Sequence, residues 1–270
     1  MSRGKGTKGG GGVYPDQVRD YRLLMQRWLD LVKGIPSLDL VLYGEADGYP
    51  LMALESRQRK EGVPSVYFSA GIHGDEPAGV EGLYRWARGE LAGLSHWNWQ
   101  IFPCLNPWGL ERNVRFDAEG HDLNRCFNSR KVPRITAQLA LMKGWRYDLA
   151  VALHEDYDSR GFYLYEIAAK RPHWGESLCK NLARLLPADP RKKIDGHPAR
   201  HGLIRRRVSP GMMKGHPEAF LLHFKHSART FTLETPSEES LERRTSVQTS
   251  FLRDALKKLE SQNGIFPGNC

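Results

Sequence analysis

A histidine and a glutamate stand three residues apart in the segment SAGIHGDE, residues 69–76. In a turn that opens a helix, residues at positions i and i+3 share a face, so both side chains can reach one ion. The glycines on both sides of His73 leave room for an ion and a substrate to approach the backbone. We interpret His73 and Glu76 as two metal ligands. The alternative is a loop histidine that caps the following helix.

A third ligand must come from elsewhere, because catalytic zinc sites often use two histidines and one glutamate and keep one position open for water. His154 is the best candidate, since it ends the apolar segment 148–153 and precedes three acidic residues, Glu155, Asp156 and Asp158. Those acids could help to bind a second metal ion. The alternative is a histidine at the end of a strand, paired with a neighbouring acid.

Glu234 ends a further apolar segment, in the sequence TLETP of residues 232–236. A carboxylate beside a metal-activated water can take its proton and deliver it to a leaving nitrogen. Glu234 is therefore our candidate for the general base of a hydrolytic reaction. The alternative is a glutamate that caps the last helix or forms a salt bridge.

Strands that alternate with helices must position these residues. The hydrophobic periodicity predicts helices over 16–33, 77–91, 135–144, 172–186 and 237–259 and strands over 38–45, 49–57, 63–70, 99–105, 148–153 and 229–233. This order indicates an α/β protein, a three-layer sandwich around a central mixed, mostly parallel sheet. Each polar cluster follows the end of a predicted strand, where open α/β sheets build their sites. The architecture is therefore expected to bring the clusters together.

Composition restricts the class of protein. The chain of 270 residues has a net charge of +9 and contains 40% hydrophobic residues, enough for a core. We expect a basic, glycine-rich, disordered tail over residues 1–12 and one catalytic domain over 13–270. The excess of lysine and arginine falls in the tail and in two short clusters, 191–193 and 205–207. No nucleic-acid-binding motif surrounds these clusters. A positive surface also suits an enzyme that binds carboxylates.

Four scattered cysteines, with no C-x-x-C pair, are typical of a reducing compartment. No apolar run is long enough for a membrane span or a signal segment. We therefore expect a cytoplasmic protein that binds neither a membrane nor nucleic acid.

The motifs resemble those of the zinc carboxypeptidase superfamily, which comprises the metallocarboxypeptidases and the succinylglutamate desuccinylase and aspartoacylase branch. Between residues 63 and 236 they occur in the family's order. The first pair is His73-x-x-Glu76, and the last two motifs are His154 and Glu234. Between them lie Asn106-Pro107-x-Gly109, then Arg115, then Asp122-Leu123-Asn124-Arg125, which are similar to the substrate-binding stretch of bacterial members.

The resemblance implies a role for each of these residues. His73, Glu76 and His154 would hold one Zn²⁺ per chain, although cobalt, manganese or nickel suits the same ligands. Arg115 would stabilise the oxyanion, with Arg112 as the rival. The substrate carboxylate would be held by Asn124 and Arg125. Asp122 would accept a hydrogen bond from the free ring N–H of His73.

Two departures from the digestive carboxypeptidases are evident. The segment 211–216, where those enzymes carry a substrate-clamping tyrosine, contains no tyrosine, and residues 154–165 differ from their pattern. The sequence therefore favours a compact bacterial-type member, such as a murein-peptide amidase.

The resulting hypothesis is a metallocarboxypeptidase or peptide amidase, which hydrolyses an amide bond next to a free carboxylate in a peptide. The close alternative is an N-acyl amino-acid deacylase. A binding module without catalysis and a basic nucleic-acid-binding protein are the other classes considered. The sequence leaves the oligomeric state open.

Overall fold

A computed structural model of the chain describes residues 15–169, 171–209, 211 and 216–262. The main sheet contains eight strands: β1 (Leu38–Ala46), β2 (Tyr49–Ser56), β3 (Ser65–Ala70), β4 (Asn98–Phe102), β5 (Leu149–Asp156), β6 (Tyr163–Ala168), β9 (Leu203–Arg205) and β10 (Arg229–Pro236). The short strands β7 (Lys193–Ile194) and β8 (His197–Pro198) form a separate hairpin. The predicted tail over residues 1–12 lies outside the described residues.

The strands of the main sheet follow the order β1-β2-β4-β3-β5-β10-β6-β9. The central run β4-β3-β5-β10 is parallel, whereas β1, β2 and β6 join their inner neighbours in antiparallel pairs. The predicted mixed, mostly parallel sheet is therefore confirmed. Since β3, β5 and β10 are adjacent and parallel, the loops at their carboxyl ends meet at one edge of the sheet.

Helices cover both faces of the sheet. They are α1 (Tyr21–Lys33), α2 (Pro77–Glu90), α3 (Pro107–Arg112), α4 (Pro133–Leu141), α5 (Gly175–Leu182), α6 (Glu218–Leu221) and α7 (Leu241–Gln262). One core contains residues of α1, α2, α5 and α7 together with Phe68, Val151 and Phe231 of the sheet. The other contains residues of α4 and α6 with side chains of the opposite sheet face. This arrangement is the three-layer sandwich that the sequence predicts.

Several boundaries differ from the predictions. Residues 15–19 form a 3₁₀ turn, and α1 begins at Tyr21 because Asp20 caps it by accepting a bond from the Leu23 N–H at 2.8 Å. Helix α5 is shorter than the predicted helix over 172–186. After β4, where no helix is predicted, Asn106 caps the short helix α3.

No helix in the described part of the chain combines the length and the apolar character that crossing a membrane requires.

Candidate metal centre and active site

The loop between β3 and α2 carries His73 and Glu76 to the edge of the sheet. Its path depends on two glycines. Gly71 has a φ of 63°, in the left-handed region that favours glycine. A Cβ atom on Gly74 would lie 1.9 Å from the carbonyl carbon of Gly109 in α3, so the two backbones are in direct contact. The loop is therefore fixed between the sheet and α3.

His73, Glu76 and His154 form a buried cluster whose ligand atoms all lie within 4.8 Å of one another. Nδ1 of His73 lies 2.5 Å from Oε1 of Glu76, and Nδ1 of His154 lies 2.9 Å from Oε2 of the same carboxylate. Oε2 is buried, and no hydrogen bond to it is found among the described residues. Two imidazole nitrogens that converge on an unsatisfied carboxylate fit a divalent cation. The cluster therefore fits the metal site that the sequence predicts.

The charges of the cluster depend on one another. Burial alone would raise the pKa of Glu76, but His73 and His154 outweigh it and lower that pKa to about 2. Burial likewise works against protonation of His73, yet Glu76 and Asp122 raise its pKa to about 9. The pKa of His154 is also raised, because Glu76 and Glu234 outweigh its burial. Without a metal, the Glu76 carboxylate thus favours the protonated form of both rings.

Glu234 stands beside His154 because the two residues pair in the parallel register of β5 and β10. Burial raises the pKa of Glu234 to about 8, and the neighbouring His154 opposes that rise. A carboxylate with a raised pKa, next to a candidate metal ligand and lining a cavity, has the properties of a general base. The structure thus places Glu234 where the predicted role requires it, and the role itself remains a prediction.

Asp122 and Arg115 both contact His73, Asp122 at Nε2 and Arg115 at Nδ1, where Nη1 lies 3.2 Å away. The Asp122 carboxylate faces Nε2 of His73 at 3.2 Å and accepts bonds from Nε and Nη2 of Arg115 at 3.2 and 2.9 Å. Burial alone would raise the pKa of Asp122, but His73 and Arg115 outweigh this effect and lower that pKa. Nη1 of Arg115 lies 3.8 Å from Oε1 of Glu76. Arg112, the rival candidate, instead contacts Tyr49 and lies over the ring of Trp108.

The Asn106 side chain organises the segment that leads to Arg115. Its Oδ1 accepts bonds from the Gly109 N–H at 3.1 Å and from Nη1 of Arg134 at 3.0 Å. Its Nδ2 donates to the carbonyl of Phe116 at 3.0 Å. Asn106 therefore shapes the loop on which Arg115 is carried.

Asn124 and Arg125, the predicted carboxylate-binding residues, line a cavity of about 300 Å³ together with His154 and Glu234. The half-buried Asn124 accepts a bond from the Glu218 N–H through Oδ1 at 2.9 Å, and its Nδ2 donates to no other residue in the described part of the chain. Arg125 is exposed, and its Nη1 donates to the carbonyl of Asn124 at 2.9 Å. The structure thus brings both residues to the candidate site.

Sequence reasoning missed other residues that line this cavity: Tyr165, Asp195, Arg206, Phe220 and Thr232. Tyr165 donates to Oδ2 of Asp195 at 2.6 Å. The sequence alone identifies residues 205–207 only as a basic cluster. Nothing in the local sequence signals that Arg206 lines the cavity that contains Glu234.

The acidic residues Glu155 and Asp156, which follow His154, bind other residues of the protein. Glu155 accepts a bond from the Ala78 N–H at 2.6 Å and pairs with Arg244. Asp156 accepts bonds from Tyr163 and Arg191 at 3.0 and 3.3 Å. Within the described ranges, the cluster of His73, Glu76 and His154 is the one candidate metal site, so these acids form no second one.

Comparisons with known proteins show which proteins this chain resembles. Residues 62–191 match the succinylglutamate desuccinylase/aspartoacylase catalytic domain family. Carboxypeptidase SOL1 of Arabidopsis thaliana is 28% identical over 131 residues, which cover 40% of this chain and only 27% of that protein. The crystal structure of a predicted metallopeptidase from Shewanella amazonensis SB2B superimposes with a TM-score of 0.79, at 23% identity, over 90% of this chain and 94% of its own.

A metallo-carboxypeptidase from Pseudomonas aeruginosa, crystallised with (2-guanidinoethylmercapto)succinic acid, superimposes with a TM-score of 0.65. It is 17% identical, and the match covers 90% of this chain and 69% of that one. The fold and the family match both point to hydrolases of the metallocarboxypeptidase or succinylglutamate desuccinylase/aspartoacylase type as the proteins that this chain resembles. The chain thus resembles the zinc carboxypeptidase-like superfamily in fold and, over residues 62–191, in sequence.

Proposed function

We propose that this protein is a zinc-dependent hydrolase that cleaves an amide bond next to a free carboxylate, in the manner of a metallocarboxypeptidase or peptide amidase. The observation that carries the proposal is the buried cluster of His73, Glu76 and His154, with Glu234 paired beside it. Zinc bound there would polarise the scissile carbonyl and lower the pKa of water.

The residues of the chain supply the remaining chemistry. Glu234 takes a proton from the attacking water and delivers it to the leaving nitrogen. Arg115, fixed by the Asp122 carboxylate at 2.9 Å, donates to the oxygen that becomes negative as the carbonyl turns tetrahedral. Asn124 and Arg125 hold the free carboxylate of the substrate, and the arginine fork suits that geometry. The succinic acid derivative bound by the Pseudomonas aeruginosa relative supports a carboxylate-bearing substrate.

A second candidate function is the deacylation of N-acyl amino acids. The match of residues 62–191 with the succinylglutamate desuccinylase/aspartoacylase catalytic domain favours it. Both reactions cleave an amide bond and use the same residues, so the two candidates differ in substrate size and not in mechanism.

The test compares short peptides with a free or amidated C-terminus and a set of N-acyl amino acids, with and without a chelator. We expect cleavage of free-acid peptides alone, lost on chelation and restored by zinc. Cleavage of acyl amino acids alone would favour the deacylase. The peptidase proposal fails if amidated peptides are cleaved equally well.

The variant Glu234→Gln tests the base. We expect kcat to fall by roughly 10²- to 10⁴-fold, the usual contribution of general acid–base catalysis, while the bound metal measured by elemental analysis stays unchanged. Glu238→Gln is the matched control, because Glu238 is exposed four positions later on the chain. Full activity in Glu234→Gln would exclude Glu234 as the base.

A further inference from the structure

The 3₁₀ turn before α1 carries an arginine to the loop that holds two of the candidate metal ligands, which we call the metal loop (residues 71–76). Nη1 of Arg19 donates to the carbonyl oxygen of Gly74 at 3.2 Å and to that of Leu110 in α3 at 3.5 Å. Gly74 directly follows His73 on the chain. One guanidinium group therefore joins the metal loop to α3 at the place where the two backbones are in contact.

The backbone of Arg19 is fixed from both sides. Val18, the residue before it, is buried, and Asp20, the residue after it, caps α1 through its bond with the Leu23 N–H. The Arg19 side chain itself is half-buried. Because the backbone is already ordered by these neighbours, only the side chain of Arg19 loses conformational freedom when it binds the two carbonyl oxygens.

The guanidinium of Arg19 also lies among charged side chains behind the metal loop. Burial lowers the pKa of Arg19, although the nearby carboxylates of Glu155 and Asp75 oppose that change. The positive charge of Arg19 would by itself repel a metal ion bound to the loop. An effect of Arg19 through its bonds and an effect through its charge therefore change the affinity for a metal in opposite directions.

We infer that Arg19 is a positioning residue of the candidate metal centre: it fixes the backbone at Gly74 and so sets where His73 and Glu76 lie before an ion binds. Ligands that are held in place lose less conformational freedom on binding, so their affinity for the ion is higher. Arg19 lies before residues 62–191, the segment that matches the family, so the family match assigns it no role. This inference rests on the metal site of the proposed function and not on the reaction.

The test measures zinc affinity by competition with a chromophoric chelator, in the parent protein and in Arg19→Gln. We expect the variant to bind zinc roughly tenfold more weakly, the lower end of the effect of losing an outer partner of a metal ligand, because Arg19 acts on the ligands through the backbone. Arg22→Gln is the control for net charge, since Arg22 is exposed on α1, and it should leave the affinity unchanged.

A second measurement separates positioning from stability. In metal-free protein, the backbone amides of the metal loop should exchange with solvent faster in Arg19→Gln than in the parent, whereas the amides of β5 and β10 should keep their protection. Arg19→Lys keeps the charge but lacks the planar fork, so its zinc affinity should fall between those of the parent and Arg19→Gln. If Arg19→Gln fails to fold, as judged by thermal melting, Arg19→Lys should still bind zinc more weakly than the parent.

Three results would overturn the inference: unchanged zinc affinity in folded Arg19→Gln, tighter zinc binding in that variant, or an equal loss in Arg22→Gln. Tighter binding would mean that the charge of Arg19, and not its bonds, acts on the metal. The proposed function fails separately. If the parent protein binds zinc and Arg19→Gln weakens that binding, but the parent cleaves no amide, the positioning role of Arg19 stands and the hydrolase proposal falls.

Discussion

Asp122 connects the two functions assigned to the site. One carboxylate oxygen faces Nε2 of His73, and the other accepts two bonds from the guanidinium of Arg115. The side chain therefore sets the ring orientation of a candidate metal ligand and the position of the candidate oxyanion donor. A carboxylate behind a metal-binding histidine also raises the basicity of that ligand.

The substitution Asp122→Asn should lower zinc affinity by roughly 10- to 100-fold, the usual effect of losing such a partner. It should also lower kcat, because Arg115 loses its anionic partner. A competition titration against a chromophoric chelator measures the first effect, and activity at saturating zinc measures the second. Arg112→Gln, which alters an arginine away from the cluster, is the control. Unchanged zinc affinity in Asp122→Asn would contradict the assignment.

At the scale of single elements, the contact between the loop after β3 and α3 determines where His73 lies. The absent side chain of Gly74 allows this contact, since a Cβ there would overlap the backbone of Gly109. Any larger residue at position 74 must push the loop away from α3. His73 is the neighbouring residue, so it would move with the loop.

The substitution Gly74→Ala should destabilise the fold by about 1–3 kcal/mol or more, as overpacking does, and should weaken metal binding. Gly89→Ala is the matched control. Gly89 lies in α2, and a Cβ added there would meet nothing within 4 Å, so alanine should stabilise the helix by about 0.5–1 kcal/mol. Chemical denaturation and metal titration of both variants check the prediction. Equal behaviour of the two would show that the close approach is unimportant.

The short helix α6 holds Asn124 through Glu218. The buried Glu218 carboxylate accepts bonds from Ser69 at 2.8 Å, from Gln138 at 3.1 Å and from Tyr67. The backbone N–H of the same residue donates to Oδ1 of Asn124. Glu218 thus ties the substrate-binding stretch to β3 and α4, and burial raises the pKa of its carboxyl group.

The substitution Glu218→Gln should cost about 1–3 kcal/mol, because it leaves a buried donor unpaired. It should also raise KM for free-acid peptides several-fold with little change in kcat. The reason is that a displacement of α6 affects the substrate only through Asn124. Tyr67→Phe separates the two effects, because it removes one hydroxyl from the network and leaves α6 in place. A KM increase of equal size in Tyr67→Phe would mean that Glu218 acts through stability alone.

These elements also show what sequence can predict. His73, Glu76, His154 and Glu234 follow apolar strands, so their types and their positions at strand ends are visible in the chain. Strand β6 was missed, because the mixed polar and aromatic residues 163–168 show no clean alternation. Strand order decides that Tyr165 and Arg206 reach the active-site cavity, and strand order depends on tertiary packing.

At the scale of the whole molecule, the candidate metal joins distant parts of the chain. His73 follows β3, and His154 lies in β5, 81 positions later on the chain as numbered. These ligands come together only in the folded protein, so a metal that binds them stabilises the native state over the unfolded chain.

Zinc added to chelator-treated protein should therefore raise the free energy of unfolding by about 4 kcal/mol at 1,000 times its dissociation constant. For a chain of this size that corresponds to a rise in melting temperature of roughly 10 °C, and cobalt or nickel should act similarly. Magnesium should have little effect, because it prefers oxygen ligands in an octahedral arrangement. His154→Gln should lose the zinc-dependent rise, whereas Glu234→Gln should keep it, which separates metal binding from catalysis. A rise of equal size with magnesium, or an undiminished zinc effect in His154→Gln, would place the stabilising ion elsewhere than at this cluster.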